Sequence, residues 1–137
     1  MKLEAVCHVT HTDKVPRILA DGLLPMQTSN WVRGHSSERY GGGEICAFTE
    51  RGDAERWASR MEWKFYQGMG VGKVSILTVR AQGIDWQLDT ADPLSQCGSR
   101  GSWVKCLCPI APERIVASDP LTLDVVRRLV ADLRASG

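Results

Sequence analysis

The residues able to do chemistry gather in three short stretches. Residues 6–25 read VCHVTHTDKVPRILADGLLP, with His8 and Thr10 two positions apart in an extended apolar run. A histidine in an apolar strand is either a satisfied core or edge residue or a functional group titrating near neutral pH. Residues 44–50 add Glu44, Phe48, Thr49 and Glu50 around a second apolar run. The five cysteines, Cys7, Cys46, Cys97, Cys106 and Cys108, are scattered and form no CxxC pair, and with only three histidines beside them the spacing carries no zinc-site signature. A cysteine nucleophile needs a base within reach, and the spacing indicates none. Gly41–Gly43 reads as a flexible turn, because no P-loop or GxGxxG pattern surrounds it.

The elements that must position these groups follow from periodicity. Residues 3–9, LEAVCHV, alternate as a strand with Cys7 and Val9 on one face and Val6 and His8 on the other. Residues 13–21 form a helix with Thr12 or Asp13 as cap, Pro16 in the first turn and Val15, Ile18 and Leu19 buried; Gly22 stops it. Residues 26–43 are polar and Gly-rich, a length of loop that is often functional. A strand over 44–49 leads to a helix over 52–66 that starts near Asp53. Ala54, Trp57, Ala58 and Met61 are spaced as one helical face. Trp57 and Trp63 are both expected to pack on the sheet, and His11 to face solvent.

Residues 74–81 are the clearest strand, 84–89 are extended, and 102–110 alternate with Val104, Cys106 and Cys108 on one face and Trp103, Lys105 and Leu107 on the other. Cys106 and Cys108 read as buried small apolar residues. Residues 111–118 make a turn and a last strand. Residues 121–134 make an amphipathic helix with Leu123, Val126 and Leu133 opposite Arg127, Arg128 and Arg134. The expected class is α+β, one domain over residues 1–137, with short helices on a split, mainly antiparallel sheet.

Composition limits the rest. The chain has 137 residues, 43% of them apolar and 24% charged, which is ordinary for a globular domain. Its 17 basic and 16 acidic residues leave a net charge of +1, against a broad nucleic-acid or anionic-membrane surface. Free thiols suggest a reducing cytosol, and the start MKLEAVCHV lacks the long apolar stretch of a signal peptide, so a cytoplasmic location is expected.

Three stretches resemble the ADP-ribosyltransferase-like superfamily: HVTHTDKVPRILADGLLP, YGGGEICAFTERGDAERWA and SWVKCLCPIAPERIVAS. The first is similar to the opening strand and helix of DarT-type DNA-modifying toxins and of KptA/Tpt1-type 2'-phosphotransferases. The resemblance implies a cleft that holds NAD. His8 would bind the nicotinamide-side ribose with Thr10 as its companion. Tyr40 or Phe48 would wall the nicotinamide, Arg33 would meet the phosphates, and Thr49 would take the small hydroxyl position after the strand. The family's late glutamate is replaced near Ser102, so Glu44 or Glu50 stands as the candidate catalytic carboxylate.

Cleaving the nicotinamide–ribose bond develops oxocarbenium-like charge, which a carboxylate stabilises. The resemblance thus implies transfer of ADP-ribose from NAD to a protein or nucleic-acid acceptor, by a compact bacterial or phage effector or toxin. Two other readings follow from the missing glutamate: a non-catalytic nucleotide- or protein-binding module, inhibitor or antitoxin-like, and an RNA 2'-phosphotransferase-like enzyme. The last needs several cations, for which Arg33, Arg51, Arg100 and Lys105 are available.

Overall fold

A computed structural model describes residues 4–25, 45–67, 72–88 and 103–136. Strand β1 (Ala5–His11) runs through a 3-10 turn (Thr12–Lys14) into helix α1 (Val15–Asp21). Strand β2 (Ile45–Phe48) leads to α2 (Arg51–Tyr66), and β3 (Val74–Arg80), β4 (Gln87–Leu88) and β5 (Trp103–Cys106) follow. A second 3-10 turn (Pro112–Arg114) enters β6 (Ile115–Pro120), and α3 (Leu123–Ser136) closes the chain. The strands make one six-stranded sheet in the order β4-β5-β2-β1-β3-β6, with every neighbouring pair antiparallel. The class is α+β, as expected. No helix among the described residues is long and apolar enough to cross a membrane.

Alternation along the strands produces two separate cores. On one face Cys7, Val9, Phe48, Val74, Ile76 and Trp103 pack under Ala54, Trp57, Ala58 and Met61 of α2, with Val125 and Val126 of α3 against them. On the other face Val6, Ile45, Ala47, Leu77, Val79, Val104 and Cys106 pack under Val15 and Ile18 of α1. A sheet buried on both faces needs strands with few polar positions, which is why β3 is buried from Val74 to Leu77.

Helix α1 ends where the spacing put it, for a specific reason. Gly22 has φ 83°, and a Cβ there would collide with the Ile110 carbonyl. That approach lets Leu23 and Ile110 exchange backbone hydrogen bonds of 2.9 and 2.8 Å, tying the exit of α1 to the segment after β5. The expected caps are not used: neither Thr12 nor Asp13 caps a helix through its side chain. The Thr12 hydroxyl instead donates to the Gly72 carbonyl at 2.5 Å and lies 2.7 Å from the Ser75 hydroxyl.

Other expectations are corrected at the ends of elements. The β5 strand stops at Cys106, and Cys108 is exposed rather than buried. Trp57 is 2% exposed but Trp63 is 70% exposed, because Trp63 falls outside the Ala54–Trp57–Ala58–Met61 stripe. Leu123, read as part of the apolar stripe of α3, is half exposed; Val125 and Val126 make the packing contacts. His11 does not face solvent alone: its Nδ1 lies 2.8 Å from the Tyr66 hydroxyl, with the Phe65 and Tyr66 rings edge-on around it.

These placements predict opposite outcomes for two aromatic truncations. Phe48→Ala removes a side chain that is 1% exposed and should cost about 3–5 kcal/mol in urea unfolding. Trp63→Ala should stay within about 0.5 kcal/mol of the wild type.

Candidate functional site

The site is built on the seam between β1 and β2. Strand β1 pairs with β3 along its whole length, from Ala5↔Arg80 to His11↔Val74. With β2 its only register pair among the described residues is Cys7↔Phe48. Beyond that pair the two strands are bridged by a side chain: His8 Nδ1 lies 2.6 Å from the Cys46 carbonyl oxygen.

That contact determines the state of the imidazole. A carbonyl only accepts, so Nδ1 carries the proton and donates. Burial lowers the pKa of His8 from its usual 6.5, against a smaller raising effect of the Cys46 hydrogen bond. The ring is therefore neutral at pH 7, and Nε2 keeps its lone pair. An acceptor nitrogen fixed in direction suits a ligand hydroxyl.

Alternation places Val6, His8 and Thr10 on one face of β1, with Leu77 and Ser75 beside His8 and Thr10 on β3. Thr10 is fully buried and Ser75 is 1% exposed. Ser75 links in turn to Thr12, so a short line of hydroxyls runs along this face toward the end of β1.

The other predicted residues divide. Phe48 pairs with Cys7 and so points to the opposite face from His8. It is 1% exposed and packs on Trp103, ring centroids 4.8 Å apart. The structure does not bring it to His8, because Phe48 shares the face of its partner Cys7, and the adjacent residues Cys7 and His8 of β1 point to opposite faces. Thr49, half-buried, and Glu50, exposed, follow β2 directly. Glu50 is the N-cap of α2, and its carbonyl accepts from the Asp53 and Ala54 amides at 3.1 and 3.2 Å. Arg33, Tyr40 and Glu44 lie outside the described residues, as do Trp31, His35, Arg100 and Ser102.

Arg51 belongs to a different group. It pairs with Glu55 at 3.7 Å and Asp119 at 3.2 Å, and it lies against the Cys7 thiol on the face away from His8. Arg128 of α3 reaches Glu55 at 2.5 Å, so these charges tie α2, β6 and α3 together. The most informative missed partner is a backbone group, the Cys46 carbonyl. No side-chain pattern signals it; it emerges only from the register of the two strands.

The partly buried, neutral histidine makes stability depend on pH. The unfolded chain binds a proton at His8 near pH 6.5, while the folded chain resists it. Stability is therefore greatest above that value and falls as pH drops through it toward the lower folded-state pKa. Replacing His8 with Asn, whose amide can still reach the Cys46 carbonyl, should flatten the loss of stability between about pH 7 and 5 by up to about one proton per molecule. Denaturant midpoints measured across that range check this, and an unchanged slope would contradict it.

Comparison with known proteins places the fold. No protein-family profile matches the chain, and no curated protein matches its sequence. Among solved structures it is similar to Thermosipho africanus DarTG in complex with ADP-ribose, with a TM-score of 0.51 and 13% identity. The alignment covers 96% of this chain and 48% of that one, so this chain spans about half the length of the DarTG chain. The likeness extends over nearly all of the chain and, at that identity, shows a shared fold and nothing finer.

Proposed function

We propose that this protein binds NAD at the β1–β2 seam and transfers ADP-ribose to a macromolecular acceptor, protein or nucleic acid. The observation that carries the reading is the neutral His8 imidazole, locked by the Cys46 carbonyl with Nε2 as an acceptor. This is the donor–acceptor state needed to receive a ribose hydroxyl. The solved relative in fold was captured with ADP-ribose, which contains such hydroxyls.

In this reading each residue of the chain has a limited task. Nε2 of His8 accepts from the nicotinamide-side ribose and sets its orientation. Thr10 supports the strand from a fully buried position. Arg33 meets the phosphates, and Tyr40, rather than the buried Phe48, serves as the aromatic wall. Thr49 and Glu50 stand at the exit of β2, with Glu50 or Glu44 as the carboxylate that stabilises developing positive charge. NAD supplies the nicotinamide leaving group and the electrophilic ribosyl carbon.

The placement of Phe48 and Arg51 favours a second reading, a nucleotide-binding module without turnover. One candidate aromatic is spent on the core of the opposite face, and Arg51 is neutralised by Glu55 and Asp119 there. The same pairing leaves the phosphotransferase reading without one of its four cations.

Calorimetric titration of NAD and ADP-ribose, with nicotinamide release followed in the same samples, separates these readings. Wild-type protein should bind, and His8→Asn should bind about 10-fold more weakly while melting normally, since one hydrogen bond is lost. Release of nicotinamide supports the transferase; binding without release supports the second reading. An unfolded His8→Asn would make His8 a structural residue, and no binding by wild type would overturn the NAD reading.

A further inference from the structure

The end of β5 and the bend just after it carry two thiols that the proposed function does not use. Cys106, the last residue of β5, is 2% exposed, while Cys108 is exposed at a bend. The side chain of Cys106 is turned toward residue 108. Its Sγ accepts the Cys108 amide at 3.4 Å and lies 3.3 Å from the Cys108 carbonyl oxygen. Between them Leu107 is 59% exposed, and Pro109 follows with no amide hydrogen to offer a neighbouring strand. The arch is pinned on both sides, by the Ile45↔Cys106 pair and by the Leu23–Ile110 bridge.

We infer that Cys106 and Cys108 are a redox-active dithiol that closes to a disulfide within its own segment when the protein meets a hydroperoxide. The geometry assigns the two sulfurs different parts. Cys108, open to solvent, meets the peroxide first: its sulfur takes one oxygen to become a sulfenic acid, and the peroxide leaves as an alcohol or water. Cys106 then attacks that sulfur. The new S–S bond forms as the S–O bond breaks, and the hydroxyl departs as water with the Cys106 proton. The two thiols lose two hydrogens in all, and the peroxide is the electron acceptor.

Burial raises the pKa of the Cys106 thiol, which protects it from direct attack by solutes. Its own reaction needs no access from outside, because its target is two residues away. Residues i and i+2 of an extended chain are about 6.6–7.2 Å apart at Cα, at or just beyond the upper edge of the range a disulfide spans. Closure therefore shortens the end of β5 and pulls Cys106 from its place opposite Ile45. That pair adjoins Cys46, whose carbonyl holds His8.

The arrangement makes a direct test available. Trypsin cuts after Lys105 and Arg114 and releases residues 106–114, CLCPIAPER, with both of these cysteines and no other. The folded full chain is treated with a few equivalents of hydrogen peroxide, remaining thiols are alkylated, and the digest is weighed. The inference expects this peptide unalkylated and lighter by two hydrogens, restored by dithiothreitol. In Cys108→Ser, Cys106 should stay reduced and be alkylated after unfolding. A sulfinic acid on Cys108 with Cys106 still reduced would overturn the inference. So would a bond from either cysteine to any other, or a peptide that is fully alkylated after treatment.

Discussion

Strands β1 and β2 must lie side by side to put two apolar cores on one sheet, yet their backbones pair at Cys7↔Phe48 alone among the described residues. The hydrogen bond from His8 to the Cys46 carbonyl makes the next connection. A ladder bond would have done the same mechanical work without a titratable ring. Using an imidazole instead leaves one nitrogen bound to the fold and the other with its lone pair, at a place where the ring is held neutral. Structure and chemistry meet in that one side chain. The position therefore tolerates Asn, which imitates the anchored half of the ring, better than a residue that imitates only the free half.

The rest of the molecule serves to hold the seam in register. On one face α2 is fixed by Trp57, Phe48 and Trp103, and its N-terminal turn is tied to β6 and α3 by Arg51, Glu55, Asp119 and Arg128. On the other face α1 lies over β1 and β2, and the Leu23–Ile110 bridge beside Gly22 fastens its exit to the segment after β5. At the far end of β1, the Thr12 hydroxyl donates to the Gly72 carbonyl and meets the Ser75 hydroxyl, while Glu62 of α2 accepts the Lys73 amide at 3.1 Å. Both ends of β1 are thus anchored to β3, from Ala5↔Arg80 to His11↔Val74.

Much of this was legible in residue order. Alternation in LEAVCHV correctly separated Cys7 and Val9 from Val6 and His8, and that separation defines the two cores. The same rule, applied to the register of β2, shows why Phe48 cannot join His8; alternation along a single strand does not reveal which face its partner presents. Trp63, expected on the sheet, is exposed instead: in that expectation aromatic character alone outweighs its absence from the i, i+3, i+4, i+7 stripe. The bond between His11 and Tyr66 was not legible, since it joins residues 55 apart through the meeting of α2 with the end of β1. Nor was the end of β5 at Cys106: the alternating pattern continues past the point where hydrogen-bonded pairing stops, and Pro109 was the only local sign.

The central claim is the protonation state of His8, and nitrogen-15 NMR of its imidazole measures that state directly. In protein labelled at histidine, with His8→Asn used to assign the ring, the account predicts a neutral tautomer protonated at Nδ1 at pH 7. Its Nε2 resonance should shift when ADP-ribose is added. A ring protonated on both nitrogens, or a neutral ring carrying its proton on Nε2, would contradict the account, because neither leaves an acceptor facing a ligand.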